Sequence, residues 1–167
     1  MAIDNQTRQE IIFDINRIDE ILRINIFTPK NHHHPLLLSG LTEILIRLRD
    51  LLWKSNTFAK PVSFKDDVTI RGKVTDVTSL VVFVRDAVCH IDSANHDHDE
   101  AQARVSFNVI FGKGCLFEFG QASIESPYED DVAFFFGPQR LYLRRHIIRA
   151  FEEARDNLLP YLQTLSA

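Results

Sequence analysis

Cysteine is scarce in this chain: two residues, Cys89 and Cys115, among 167. Two cannot build a disulfide framework, and their spacing matches no zinc-binding pattern. An excess of positive charge is missing too. The formal net charge of −4 excludes a protein that holds nucleic acid through a general basic field, so any such contact must come from a local patch. No stretch approaches the ~18 uninterrupted apolar residues of a membrane-spanning helix. The polar start MAIDNQTRQE also lacks the apolar core of a secretory signal. These absences predict a soluble cytoplasmic protein with no membrane association.

What is present is the balance of an ordinary globular domain. With 45% apolar and 25% charged residues, the chain can bury roughly two-thirds of its unfolded surface in one core. No repeat and no internal boundary divides it, so a single domain over residues 1–167 is predicted. In QEIIFDINRIDEILRINIF, Ile11, Ile15, Ile18 and Leu22 recur at helical spacing with Asp14, Arg17 and Glu20 between them. That pattern predicts an amphipathic helix. TPKNHHHP interrupts it with two prolines. A second helix is predicted over PLLLSGLTEILIRLRDLLWKS, where Leu37, Leu41, Leu45, Leu48 and Leu52 form one stripe and Pro35 suits the first turn. Arg47, Arg49 and Lys54 fall on or near its other side.

Residues 56–75 read as a connection with one short helical turn near Lys65. A third helix is predicted in TDVTSLVVFVRDAVCHIDS. Thr75 or Asp76 can cap its start, and Val77, Val81, Val84 and Val88 recur every three to four residues. The valines favour a strand locally, but the helical period holds throughout. After the polar loop NHDHDEAQ the period shortens. RVSFNVIF and CLFEFG alternate apolar and polar residues about the turn GKG and read as a β-hairpin, with DVAFFFG as a third strand. PQRLYLRRHIIRAFEEARDNLLPYL reads as a long last helix carrying Leu141, Ile148, Phe151 and Leu158. The predicted fold class is mostly α, with a small antiparallel β-hairpin or sheet inserted at about 103–137, before the last helix.

The segment VFVRDAVCHIDS carries the candidate chemistry. Arg85 and His90, with Asp86 beside the first, sit within one of the more apolar runs of the chain. A solvent-facing helix end accounts for them without any function, since cations suit a helix C-terminus. They also suit a specific reaction. Cleaving RNA without a metal needs a group that takes the proton of the 2′-hydroxyl and a group that protonates the departing 5′-oxygen. It also needs a fixed positive charge beside the phosphate. Histidine, with an ordinary pKa of about 6.5, can move either proton, and arginine's planar fork matches two phosphate oxygens. Five positions along a helix separate two side chains by about 140° and about 7.5 Å. Arg85 and His90 therefore converge within one subunit only if the helix ends near His90 or Arg85 reaches along it. A two-fold dimer bringing two such ends together would set two of each round one cleft.

Arginine, a polar residue, three further residues and histidine, RDAVCH here, resembles the motif of the HEPN superfamily (higher eukaryotes and prokaryotes nucleotide-binding domains). The resemblance implies an all-helical bundle of four or five helices with the motif near the end of the third. It would cover this chain as a single HEPN-like domain apart from the β insertion. It implies a metal-independent endoribonuclease, homodimeric and needing no cofactor, that cleaves RNA by attack of the 2′-hydroxyl and leaves a cyclic phosphate. Many members act in toxin–antitoxin, abortive-infection and CRISPR-linked defence systems, so an antitoxin protein is an implied partner beside RNA. Carried over by position, Arg85 would hold the scissile phosphate, His90 would transfer the proton and Asp86 would orient them.

Two positions depart from the pattern. The polar residue is most often asparagine in the family, and Asp86 puts a negative charge beside a phosphate site. The tyrosine found two residues after the histidine in one toxin subgroup is Asp92 here. Other members have lost catalysis, so the resemblance also allows a noncatalytic HEPN-like binding or dimerisation module.

Arg140, Arg144, Arg145 and Arg149 fall in pairs four apart on the predicted last helix. This basic stripe reads as a solvated face partly paired with Glu152 and Glu153 or, with the ribonuclease reading, as a track for the RNA backbone. His32, His33 and His34, and the cluster His96, Asp97 and His98, lie in loops whose histidines seldom converge on a metal unaided. No metal site is predicted, and a metal-dependent nuclease using the His96 loop is the third reading. Cys89 would point about 100° away from His90 on a helix, which argues against a nucleophile pair and for a small core residue. GKG lacks the downstream helix of a phosphate cradle. Phe134, Phe135 and Phe136 run consecutively, so at least one faces away from what its neighbours pack against. With Phe117 and Phe119 they could make an apolar sheet surface whose exposed remainder would suit a subunit interface.

Overall fold

The computed structural model describes residues 3–100, 102–119 and 122–162, apart from the side chains of Phe117, Phe119 and Ala122. Helix α1, Asn5–Arg23, starts where the Asp4 carboxylate accepts the Thr7 N–H, and it buries Ile11, Ile15, Ile18 and Ile21. Helix α2, Leu36–Phe58, buries the expected leucine stripe and adds Ile44 and Leu51. Between them lies a 3₁₀ turn at Pro29–Asn31. Helix α3, Val77–Cys89, opens with a capping box: the Asp76 carboxylate accepts the Ser79 N–H, and the Ser79 hydroxyl accepts the Asp76 N–H. That cap and the burial of Val77, Leu80, Val81, Val84 and Ala87 override the strand preference of the valines. The last helix, α4, spans Arg149–Leu162. Helix α2 is central and packs against α1, α3 and α4. No helix among the described residues is long and apolar enough to cross a membrane.

The β region follows α3 and precedes α4. Strands β1, Asp97–His98, and β2, Ala103–Arg104, form a short antiparallel pair. Strands β3, Asn108–Phe111, β6, Val132–Phe136, and β7, Gln139–Tyr142, make an antiparallel sheet in the order β3–β6–β7. Strands β4, Gly114–Phe119, and β5, Ala122–Ser126, pair as a hairpin. The architecture is therefore four helices with small antiparallel sheets before the last one.

Several local expectations need correction. The hairpin predicted across GKG does not form: β3 pairs with β6 and β4 with β5. Gly112, at φ +82, donates its N–H to the Asp131 carbonyl and so ties the end of β3 to the start of β6. The last helix does not begin at Gln139. Gly137, at φ +53, turns the chain so that Gln139–Tyr142 pairs with β6, and sheet pairing overrides the helix-like spacing of Leu141 and Ile148. A π-helical segment, Leu143–Ile148, then leads into α4.

The helical turn near Lys65 is instead a tight turn in which Val68 donates to the Lys65 carbonyl and Asp67 sits at φ 58. All three consecutive phenylalanines are buried. Phe134 and Phe136 enter the main core, and Phe135 enters a smaller one with Val105, Ile110, Ile124, Ala133 and Tyr142. Alternation across the strand puts them on opposite faces, so they leave no exposed remainder. The side chains of Phe117 and Phe119 lie outside the described residues. His96 and His98 are buried although they lie in the loop that follows α3, Cys89 is exposed rather than core, and Lys54 is buried among carboxylates.

Candidate functional site

Helix α3 ends at Cys89 because His90 leaves the helical backbone at φ −131 and ψ 102, while its N–H still donates to the Asp86 carbonyl. An open groove of about 940 Å³ runs along the outside of this helix. Ser79, Val82, Asp86 and His90 line it, and their three- and four-residue steps place them on one helical face. The His90 side chain is exposed, and none of the described residues hydrogen-bonds its imidazole.

Arg85 lies one position off that face and does not line the groove. Its Nη1 donates to the Asp86 carboxylate at 2.9 Å, while its Nε is buried without a partner among the described residues. Asp86 is thus the link: it shares the groove with His90 and holds the Arg85 guanidinium at its edge. Arg85 and His90 share no side-chain hydrogen bond. Asp76 and Asp92 also line the groove, as does Lys73. The Asp76 carboxylate is occupied by the capping box.

The predicted arginine stripe is not one surface. Arg140 belongs to β7, where it donates to the Glu125 carbonyl at 2.6 Å and lies over the Tyr142 ring. Arg145 pairs with Asp130 and Asp131, both at 3.0 Å, and stacks on Tyr128 with its guanidinium carbon 3.6 Å from the ring centre. Arg149 pairs with Asp66 at 2.8 Å and Glu153 at 3.0 Å and covers Phe64. Of the four, Arg144 alone is exposed. The strand at Gln139–Tyr142 moves Arg140 off the helix, and the nearby carboxylates take up Arg145 and Arg149.

Three buried polar arrangements escaped the sequence reading. The Asp131 carboxylate is fully enclosed and accepts the backbone N–H groups of Arg144 and Arg145 as well as the Arg145 guanidinium, which caps the π-helical segment. His146 is buried in that segment. Its Nδ1 accepts the Tyr142 N–H at 3.1 Å, so Nε2 carries the proton it donates to the Asp66 carbonyl. Burial pushes its pKa below the ordinary 6.5. Between α1 and α2, Lys54 pairs with Glu10 at 3.1 Å and with Asp50, and Arg47 pairs with Asp14 at 3.1 Å. Burial, reinforced by the neighbouring Asp50, pushes the Asp14 carboxyl up to about 6. No sequence spacing signals these sets. Asp131 and Arg145 are 14 positions apart, Asp14 and Arg47 33, and His146 and Asp66 80.

Among the described residues, no three His, Cys, Asp or Glu side chains group as a metal-ligand set. No family model, curated protein or solved structure matches this chain. The functional reading therefore rests on the α3 site itself.

Proposed function

We propose that this protein is a metal-independent endoribonuclease of HEPN type that acts as a homodimer. The observation that supports it most directly is the exposed imidazole of His90 at the end of α3, without a hydrogen-bond partner among the described residues, on an open groove shared with Asp86. In the proposed reaction the 2′-oxygen attacks phosphorus, the bond from phosphorus to the 5′-oxygen breaks, and a cyclic phosphate remains. One histidine removes the 2′-hydroxyl proton while another protonates the leaving oxygen, so His90 of a second copy completes the acid–base pair. Arg85 supplies the fixed charge. Its pairing with Asp86 joins two partly exposed side chains, an interaction worth roughly 0–1 kcal/mol. A phosphate can displace the carboxylate at that cost and offer two oxygens to the same fork. A setting in toxin–antitoxin or phage defence, with an antitoxin protein as partner, belongs to the same proposal.

Single-stranded RNA incubated with the purified chain should be cut, and His90→Ala should slow cutting by about 10²–10⁴, the usual worth of a placed proton-transfer group. Circular dichroism of the variant should match the wild type, because His90 contributes no side-chain packing to the core. Equal cutting by the two proteins would remove His90 from the mechanism.

A second reading, a noncatalytic HEPN-like binding or dimerisation module, is favoured by one observation: Asp86 holds Arg85, and Asp92 adds a further carboxylate to the groove. Failure of the wild type to cut any RNA would select it.

A further inference from the structure

The residue that joins the β region to the α3 site is His96. It is 4% exposed, and its Nε2 lies 3.3 Å from the His90 carbonyl oxygen. A carbonyl only accepts, so Nε2 carries the proton and donates it. Nδ1 is buried and has no partner among the described residues. Two further groups grip the same loop. Arg104 of β2 donates from Nη2 to the Ile91 carbonyl at 2.8 Å and to the Ser93 carbonyl at 3.4 Å. Asn95 donates from Nδ2 to the Phe83 carbonyl at 3.0 Å, which fastens the loop back to α3.

Behind His96 the contacts continue into the sheet. The Val105 N–H donates to the His96 carbonyl at 2.8 Å, and the Gly137 N–H donates to the Val105 carbonyl at 2.7 Å. Gly137, in the β6–β7 turn, presses on the same loop: a Cβ there would stand 2.2 Å from the Asn95 carbonyl oxygen. At φ +53, any side chain would also be strained. Without these supports, the chain after Cys89 would be held only by short-range bonds of the loop itself, from the Ser93 N–H to the His90 carbonyl, the His96 N–H to the Ser93 carbonyl and the Asn95 N–H to the Ser93 hydroxyl, among the described residues.

We infer that His96 is a positioning residue for His90, and that the β region, through Gly137, Val105 and Arg104, sets where the His90 imidazole stands. The inference rests on the ribonuclease reading for its catalytic consequence, but its structural content does not. Catalytic groups need supports that hold their backbone and rotamer, and a misplacement of about 1 Å can cost roughly 10²-fold in rate.

The experiment uses the full chain with His96→Phe, which removes the donor and keeps a ring, and His96→Gln, which restores an amide donor. Backbone amide exchange at residues 90–93 is one readout, and kcat and KM for RNA cleavage are the other. In His96→Phe the loop amides should exchange roughly fivefold to tenfold faster, as loss of one hydrogen bond allows. The buried core of α2 should keep its wild-type protection, kcat should fall by about tenfold or more, and KM should hold. His96→Gln should recover most of both losses.

Gly137→Ala should loosen the same four residues from the far side of the support, and if it fails to fold the His96 pair still decides. Unchanged exchange at residues 90–93 in His96→Phe, or equal impairment by Gln, would overturn the inference. If the wild type cuts no RNA, the ribonuclease reading fails by itself, and the exchange comparison alone decides the positioning role.

Discussion

Arg85, Asp86 and His90 at the end of α3, and Arg145, Asp131 and His146 before α4, are the same three residue types in two settings. In the second set each group is spent. The Asp131 carboxylate takes three backbone N–H groups, from Val132, Arg144 and Arg145, and a guanidinium, Arg145 lies on Tyr128, and both ring nitrogens of His146 are bonded. In the first set a single ion pair joins adjacent side chains, and the imidazole faces an open groove. Residue type alone therefore says little about use. A set with every valence filled fastens a helix start to the sheet, whereas an exposed imidazole beside a loosely held cation remains free to meet a substrate.

The contrast can be broken from either side. The largest effect should follow His90→Ala, with cleavage down about 10²–10⁴ and a melting temperature within experimental scatter of the wild type. The mirror experiment is Asp131→Ala, which removes the acceptor of three backbone N–H groups and one partner of the Arg145 guanidinium. It should cost about 3–5 kcal/mol, or about 10 °C in Tm for a chain of this size. If Asp131→Ala spared stability, the second set would not be the structural fastener described here.

Acid should separate the buried groups further. His146 is held neutral below its ordinary pKa of 6.5, so the unfolded chain binds more protons. Its contribution is complete above about pH 6.5 and is lost as pH falls through that value towards the folded pKa. Asp14 has the opposite sign. With its pKa raised from 3.8 to about 6, it costs stability above pH 6, and this cost disappears as pH falls from about 6 to 3.8. Thermal melts across pH 4–8 should show a flatter acid limb for His146→Gln. Asp14→Asn should gain on the order of 1 kcal/mol at pH 7.5, the pKa effect less the lost pairing with Arg47 and Lys54. A loss of stability in Asp14→Asn at that pH would contradict the stated balance.

The smallest effect concerns the first set. Asp86→Asn releases Arg85 from a pair worth roughly 0–1 kcal/mol, so RNA should bind a few-fold more tightly and Tm should change little. Weaker RNA binding would mean that the carboxylate helps the site rather than occupying its cation.

Sequence periodicity disclosed what lies within one element. The leucines of α2 and the valines of α3 followed a helical repeat because one stripe of each faces the core. Asp76 was readable as a cap because capping is local. Helix α3 does end at Cys89, next to His90, yet Arg85 stays off the groove that His90 lines. What was not readable came from long-range pairing. Gln139–Tyr142 has residues that suit a helix, and only the β6 backbone beside it makes it a strand. That one change removes Arg140 from the presumed stripe. The acceptor for Arg145 and the Gly137 contact on the loop after His90 come from segments that become neighbours only after folding.

The most direct measurement is the chemistry of the cut ends. Wild-type protein should be incubated with single-stranded RNA of defined sequence in the presence of EDTA, and the new 3′ ends identified by mass spectrometry. The expected result is that chelation leaves cutting unchanged, that the fragments carry 2′,3′-cyclic phosphate, and that His90→Ala slows their formation by about 10²–10⁴. Fragments ending in 3′-hydroxyl, or cutting that stops when EDTA is added, would contradict it.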